Sequence, residues 1–250
     1  MNSKYRALQA TTNRLLHAET SDVKQREVRN LGSLLEQTIH ISTSKDFETA
    51  LETYWGYAVS PKIAIKCFYE AERTWAFIKS LYRAIRDTQL KTDKKVKVLY
   101  AGCGPFAGLI LPLTTQFRKD QLEVTLLEIN PTSLQAAQES ISAFGSEDYF
   151  KECVCCDASE YRLAEKPDII LSETMNGGLL DEPYGAIMGN LALKLSEGGI
   201  FIPQEVSVNL GLIYFDRLQE IKEGIPLGSA YRDLGEVWSA PLKVDTEKRS

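Results

Sequence analysis

The stretch KVKVLYAGCGPFAGLILPL, residues 95–113, decides how this chain is read. It opens as an alternation of Lys with Val and Leu, passes through Gly102, Cys103 and Gly104, and continues as an apolar run of helical length. That order predicts a strand, a glycine turn and a helix. Glycine has no Cβ, so such a turn lets backbone N–H groups and the positive end of the following helix approach a ligand. The dinucleotide fingerprint is incomplete, because Pro105, Phe106 and Ala107 follow without a third glycine. The turn alone points to a nucleotide-like ligand without choosing one.

Around this stretch, short β-rich runs alternate with helical segments. The runs are VKVLYA (96–101), LEVTLLE (122–128), FKECVCC (150–156), DIILSE (168–173) and GIFIP (199–203). Strands separated by helices predict an α/β fold, a Rossmann-like, doubly wound and mostly parallel sheet. Asn130 and Pro131 supply a cap and an N1 proline for a helix through Ala143. A further helix is expected from about Asp181 to Leu195, closed by Gly198 and Gly199.

Upstream, Ser60 and Pro61 open what reads as one amphipathic helix to Asp87, with Ala64, Phe68, Ala71, Trp75, Ile78, Tyr82 and Ile85 at steps of three or four. Earlier still, Leu15, Leu16, Val23, Val28, Leu31, Leu34 and Leu35 are spaced for one-sided burial. The expected organisation is an N-terminal helical cap over 1–90, a ligand-binding domain over 91–203, and a short β extension over 204–250. That extension contains VSVNLGLIYF (206–215) and an apolar stretch near Val237 to Val244.

Composition narrows the function. With 44% hydrophobic and 25% charged residues the chain is globular in type. A net charge of −5 disfavours nucleic acid, which needs clustered Lys and Arg, and leaves room for a cationic substrate. No apolar run approaches the roughly 18 residues of a membrane span, and MNSKYRALQATTNR (1–14) lacks the apolar core of a signal peptide. The expectation is a soluble, cytoplasmic protein without membrane contact. Cys67, Cys103, Cys153, Cys155 and Cys156 read as reduced core thiols. No metal is expected, since CVCC has no second ligand pair and the two histidines, His17 and His40, lie far away.

Two strand ends carry acids. Glu128 is placed to accept hydrogen bonds from ribose hydroxyls, and Asp157, followed by small Ala158, to receive an adenine amino group. Glycine turn, Glu128 and Asp157 together describe an adenosine site, and they resemble the class I S-adenosylmethionine-dependent methyltransferases. The resemblance implies S-adenosyl-L-methionine as cofactor. It assigns the glycine motif to Ala101, Gly102, Cys103 and Gly104, the ribose acid to Glu128 with Ile129 beside it, and the adenine contacts to Asp157 and Ala158.

A closer resemblance lies in residues 171–203, LSETMNGGLLDEPYGAIMGNLALKLSEGGIFIP, which is similar to the double-glutamate segment of the protein arginine methyltransferases. Ser172 and Glu173 match its first part, Glu182, nine residues later, the second, and Gly199 to Pro203 the exit. In EAERTWAFIKSLYRAI (70–85), Glu70, Arg73 and Thr74 match the family's acidic-x-x-Arg-Thr helix. Tyr54 and Trp55 stand where the family keeps an aromatic pair over the cofactor. The resemblance implies that Arg73 holds the methionyl carboxylate, that Glu173 and Glu182 clamp a guanidinium or amine as catalytic residues, that Glu173 also borders the cofactor, and that Tyr54 covers it.

These features imply an S-adenosylmethionine-dependent N-methyltransferase acting on a protein, peptide or small-molecule acceptor, and they leave room for a homo-oligomer. The family's Thr-His-Trp loop has no counterpart in the 47 residues after Pro203. This departure admits a reduced substrate-binding part, one supplied by a partner, or a shortened chain. It also motivates two alternatives, a small-molecule O- or carboxyl methyltransferase and a cofactor-binding subunit without catalysis.

Overall fold

The computed structural model describes residues 3–40, 45–175 and 181–206, with two strand pieces at 208–210 and 240–242. The chain divides into two compact units, Met1–Gln204 and Glu205–Ser250. In the first, helices α1 (Ser3–Leu16) and α2 (Ser21–Glu36) are followed by a hairpin of β1 (Leu51–Thr53) and β2 (Gly56–Ala58), then α3 (Pro61–Phe68) and α4 (Ala71–Gln89). Strands β3 (Val96–Ala101) and β4 (Leu122–Glu128), helix α5 (Pro131–Phe144), strands β5 (Phe150–Cys155) and β6 (Ile169–Ser172), helix α6 (Tyr184–Leu191) and strand β7 (Ile200–Ile202) complete it. In the second unit, β8 (Val208–Leu210) pairs antiparallel with β9 (Ala240–Leu242). The rest of the expected extension lies outside the described residues.

The five expected β runs form one parallel sheet in the order β5-β4-β3-β6-β7. The chain is therefore α/β and doubly wound. Strand order reverses between β3 and β6, and in such sheets ligands bind at the carboxyl ends of the strands beside that reversal. Strand alternation separates two cores. Val96, Val98 and Tyr100 of β3 face a large cluster shared with α1, α2, α4 and α5, while Leu99 and Ala101 face a smaller one with Ile187 and Leu191 of α6.

The N-terminal helices share the main core. Leu8, Leu15, Val28, Leu31 and Leu35 are fully buried in it, each side chain contributing about 1.5–3 kcal/mol. Helix α5 forms as its sequence directs. Asn130 Oδ1 accepts from the N–H groups of Thr132 and Ser133 at 2.9 and 3.2 Å, and Gly145 closes the helix at φ +68°. Among the described residues, no helix is long and apolar enough to cross a membrane.

Four sequence expectations differ from the structure. The stretch read as one helix from Pro61 to Asp87 is two, broken at Tyr69 and Glu70. Thr74 donates from Oγ1 to the carbonyl of Phe68 at 2.7 Å, and Arg73 donates to the carbonyl of Cys67, so side chains of α4 take carbonyls at the end of α3. The apolar run after the glycine turn is not an α-helix. It is a chain of turns ending in a 3₁₀ segment at Leu111–Thr115, because Ala107 adopts φ +44° and Pro112 has no N–H to continue a ladder. The helix expected to Leu195 ends at Leu191 and continues as a 3₁₀ turn. The five cysteines are free thiols, yet only Cys103 is fully buried and Cys155 is exposed.

Candidate functional site

A cleft of about 1140 Å³, its open mouth included, lies at the carboxyl ends of β3, β4, β5 and β6. Its floor is the turn after β3. Gly102 and Gly104 sit at φ +72° and +61°, a region that side chains disfavour. A Cβ on Gly102 would stand 2.3 Å from Cγ2 of Thr174, so two strand ends approach here as only glycine permits. At Gly104 the nearest atom to such a Cβ is Ala64 Cβ at 3.7 Å, which leaves the space above it open. Ala107, in the place of the missing third glycine, also takes a positive φ. With no α-helix following the turn, this segment brings no helix dipole of its own to the cleft.

Glu128, the last residue of β4, is 7% exposed. Its Oε2 accepts from Gly104 N at 2.8 Å and its Oε1 from Asn130 N at 2.9 Å. Burial raises the carboxyl above its ordinary value, and these backbone bonds oppose that rise. Each carboxylate oxygen offers a second lone pair, so acceptor capacity remains for a ligand. Asp157 follows β5 in a tight turn where its Oδ1 accepts from Ser159 N at 2.8 Å, and the buried Ala158 and the partly buried Ile129 line the same end of the cleft.

The opposite wall comes from the break between α3 and α4. Arg73, in the first turn of α4, donates from Nη1 to Glu173 Oε1 at 2.6 Å and from Nη2 to the carbonyl of Cys67, with Glu70 3.6 Å from its Nε. A cation at the last carbonyls of α3 is also favoured by that helix's dipole. Burial works against the charge on Arg73, but Glu173 and Glu70 outweigh it and hold the guanidinium above its ordinary value.

Glu173 directly follows β6 and its side chain is 17% exposed. Burial pushes its carboxyl up to about 7, the charge on Arg73 pulls against this, and Glu182 and Glu70 add to it. Glu182 precedes α6 and is likewise raised, by burial first, with Arg73 opposing and Asp181 adding. Among the described residues, the cleft is thus lined by four carboxylates, Glu128, Asp157, Glu173 and Glu182, against one cation, Arg73.

The structure brings ten of the sequence-selected residues to this cleft: Arg73, Gly102, Cys103, Gly104, Glu128, Ile129, Asp157, Ala158, Glu173 and Glu182. Two are placed elsewhere. Ala101 points into the small core with α6, because strand alternation turns it away from the face that Tyr100 presents. Tyr54 is 87% exposed at the tip of the β1–β2 hairpin, where a two-residue turn carries it and Trp55 outward. The hairpin lines the cleft instead through Thr53, Tyr57 and Ala58. Sequence reasoning missed these, and also Tyr100, Cys67 and Thr174. A Gly at 56 two residues after Tyr54 is the turn signal that identified the hairpin too weakly to be read.

The hairpin is tied to Asp181, the residue before Glu182. Tyr57 N donates to the carbonyl of Asp181 at 2.7 Å, and a Cβ on Gly56 would lie 2.1 Å from that same oxygen.

No protein-family profile matches the chain, and no curated protein matches it. Solved structures do. An S-adenosylmethionine-dependent methyltransferase from Thiobacillus denitrificans in complex with S-adenosyl-L-homocysteine is 18% identical at TM-score 0.40, over 59% of this chain and 54% of that one. The Trypanosoma brucei PRMT1 enzyme–prozyme heterotetrameric complex with AdoHcy is 22% identical at TM-score 0.47, over 63% and 47%. Protein arginine methyltransferase 10 of Arabidopsis thaliana is 17% identical at TM-score 0.43, over 60% and 41%. The chain therefore spans about half the length of the solved structures it resembles.

Proposed function

We propose that this chain is an S-adenosylmethionine-dependent N-methyltransferase that acts on a guanidinium or amine nitrogen. The observation that carries the reading is the pairing, in one cleft, of an arginine suited to a carboxylate with two burial-raised glutamates suited to a cation. Residues 91–203 form the cofactor domain in this reading, and the helices before them close one side of it.

The residues present fit the cofactor. Arg73 is the group for its methionyl carboxylate, since a planar guanidinium binds carboxylate in two parallel hydrogen bonds. Glu128 keeps lone pairs for ribose hydroxyls, Gly102 and Gly104 leave the space a Cβ would fill, and Asp157 with Ala158 and Ile129 borders the adenine end. When bound, S-adenosylmethionine supplies an electrophilic methyl group on a sulfonium.

The protein's work is positioning. Glu173 and Glu182 hold a cationic side chain by charge-assisted hydrogen bonds, orient its nitrogen and take up charge as it reacts. Orientation of this kind is worth roughly 7–11 kcal/mol of barrier. An arginine nitrogen must also lose a proton, and a carboxyl raised to about 7 is matched to accept it near neutral pH.

S-adenosylmethionine at saturating concentration should raise the melting temperature, as any ligand selective for the folded state does. Glu173→Gln should keep that shift and abolish formation of S-adenosylhomocysteine with extract fractions. Absence of the shift in the unaltered chain overturns the assignment, and turnover retained in the variant removes Glu173 from its role.

A further inference from the structure

We propose that Tyr100 is a cofactor-positioning residue, its hydroxyl donating a hydrogen bond to the methionyl carboxylate beside Arg73. The proposal rests on the reading of the cleft as an S-adenosylmethionine site and adds to it a donor outside the glycine turn and the strand-end acids.

Tyr100 is the penultimate residue of β3, the central strand, and pairs in register with Leu126 of β4 and Leu171 of β6. Side chains alternate across a sheet, so the three share one face, and all three pack in the main core. Two residues further along the three chains come Gly102, Glu128 and Glu173. Glycine has no side chain, so nothing on its own chain stands between the Tyr100 ring and the cleft. Tyr100 accordingly lines the cleft beside Arg73, Glu128 and Glu173. With leucines flanking the base of the ring and polar groups beyond it, the hydroxyl faces the ligand space.

Buried hydroxyls are as a rule bonded, and Tyr149, 5% exposed, donates to the carbonyl of Phe117 at 2.7 Å. Tyr100 is 4% exposed, yet among the described residues none hydrogen-bonds its hydroxyl. The carboxylates beside it are engaged, Glu128 by the N–H groups of Gly104 and Asn130 and Glu173 by Arg73. An unpaired buried polar group is costly, and a ligand that accepts from it recovers that cost. Burial first, with Cys103, Glu173 and Glu128 adding and Arg73 opposing, holds the phenol well above its ordinary value, so it remains a neutral O–H donor. A donor beside an arginine suits a carboxylate, whose two oxygens have about four lone-pair sites to fill. Arg73 alone fills few of them, because its Nη1 is committed to Glu173 and its Nη2 to the carbonyl of Cys67. The cofactor's ammonium is itself a donor and is better served by the cleft's carboxylates.

The test compares the full chain with Tyr100→Phe, which keeps the ring and removes only the hydroxyl. S-adenosylhomocysteine, followed by calorimetry, should bind the variant about tenfold more weakly. Decarboxylated S-adenosylhomocysteine, which keeps the adenosine and the amine, should bind the two chains within about twofold of each other. Without ligand the variant should melt no lower than the unaltered chain, since an unpaired hydroxyl contributes no bond to the fold. Equal affinity of the two chains for S-adenosylhomocysteine, equal losses for both ligands, or a ligand-free melting temperature lowered by more than about 3 °C each overturns the proposal. Those outcomes leave the S-adenosylmethionine reading standing, because the unaltered chain still binds its ligand. Failure of the unaltered chain to bind S-adenosylhomocysteine overturns that reading, and the role of Tyr100 with it.

Discussion

The bond between the hairpin and the acidic segment makes Gly56→Ala the sharpest perturbation available. Gly56 lies at φ +131°, and an added Cβ would stand 2.1 Å from the carbonyl oxygen of Asp181 and 2.9 Å from its carbon. These are backbone atoms, so no rotamer change relieves the overlap. Reaching an ordinary contact of 3.4 Å requires a shift of about 1.3 Å, either of the hairpin or of the segment carrying Glu182. The hydrogen bond from Tyr57 N is stretched or lost at about 0.5–1.5 kcal/mol, and the backbone conformation adds about 1–3 kcal/mol. Both costs are local. A misplacement of about 1 Å at a positioning group can lower a rate by about 100-fold. We therefore expect kcat/KM for a cationic acceptor, followed as S-adenosylhomocysteine released, to fall on the order of 100-fold. The cofactor dissociation constant should stay within threefold of the unaltered value, since Arg73, Glu128 and the glycine turn are untouched. A kcat/KM unchanged within threefold would refute the link between hairpin and Glu182.

Three further outcomes follow from the charges in the cleft. Glu173 keeps its proton to about pH 7 in the folded chain and only to its ordinary 4.5 when unfolded. Over that interval the folded state binds more protons, so stability falls as pH rises, by on the order of 3 kcal/mol in all, and denaturant titrations of Glu173→Gln should lose this slope. The clamp needs the ionised form, so kcat/KM should rise through an apparent pKa near 7; a flat profile from pH 6 to 8 would contradict this. Arg73→Lys keeps a charge but loses the fork that reaches Glu173 and the Cys67 carbonyl, and calorimetry should show cofactor affinity reduced at least tenfold.

The sheet was legible because each of its strands carries a short β-rich run bounded by polar or glycine residues, and VKVLYA and LEVTLLE match β3 and β4 residue for residue. Helix α5 was legible because its cap, its N1 proline and its closing glycine are local signals. The break between α3 and α4 was not, since Ala64, Phe68 and Ala71 keep helical spacing across it. Its cause is tertiary, the capture of two α3 carbonyls by Arg73 and Thr74. The turn after β3 was misread for a related reason. An apolar run of helical length is buried here as irregular chain, with Leu109, Ile110, Leu111 and Leu113 all in the core. In the site, the acids at strand ends were found because topology alone delivers them to one edge. The hairpin escaped because three-residue strands have too short a period to register.

Among the described residues, Arg73 is the one cation beside the cleft's carboxylates, and this gives the site a built-in coupling. In the structure its guanidinium offsets the charge of Glu173, whose burial would otherwise favour the neutral acid. A carboxylate ligand drawn to Arg73 competes for that guanidinium and leaves Glu173 with less compensation among Glu70 and Glu182. Two responses are open to a buried carboxylate so placed: it takes a proton, or it takes a new cation. A cationic acceptor supplies the second. Binding of carboxylate-bearing cofactor and of cationic acceptor should therefore be mutually favourable, with a coupling of about 1–3 kcal/mol, equal in both directions. S-adenosylhomocysteine should tighten N-acetylarginine amide binding about 5- to 150-fold at pH 8, and the amide should tighten S-adenosylhomocysteine by the same factor. Glu173→Gln should abolish the effect in both titrations, since the amide side chain has no charge to leave uncompensated. Equal affinities with and without the second ligand would show that Arg73 serves Glu173 alone, and would remove it from the cofactor's carboxylate.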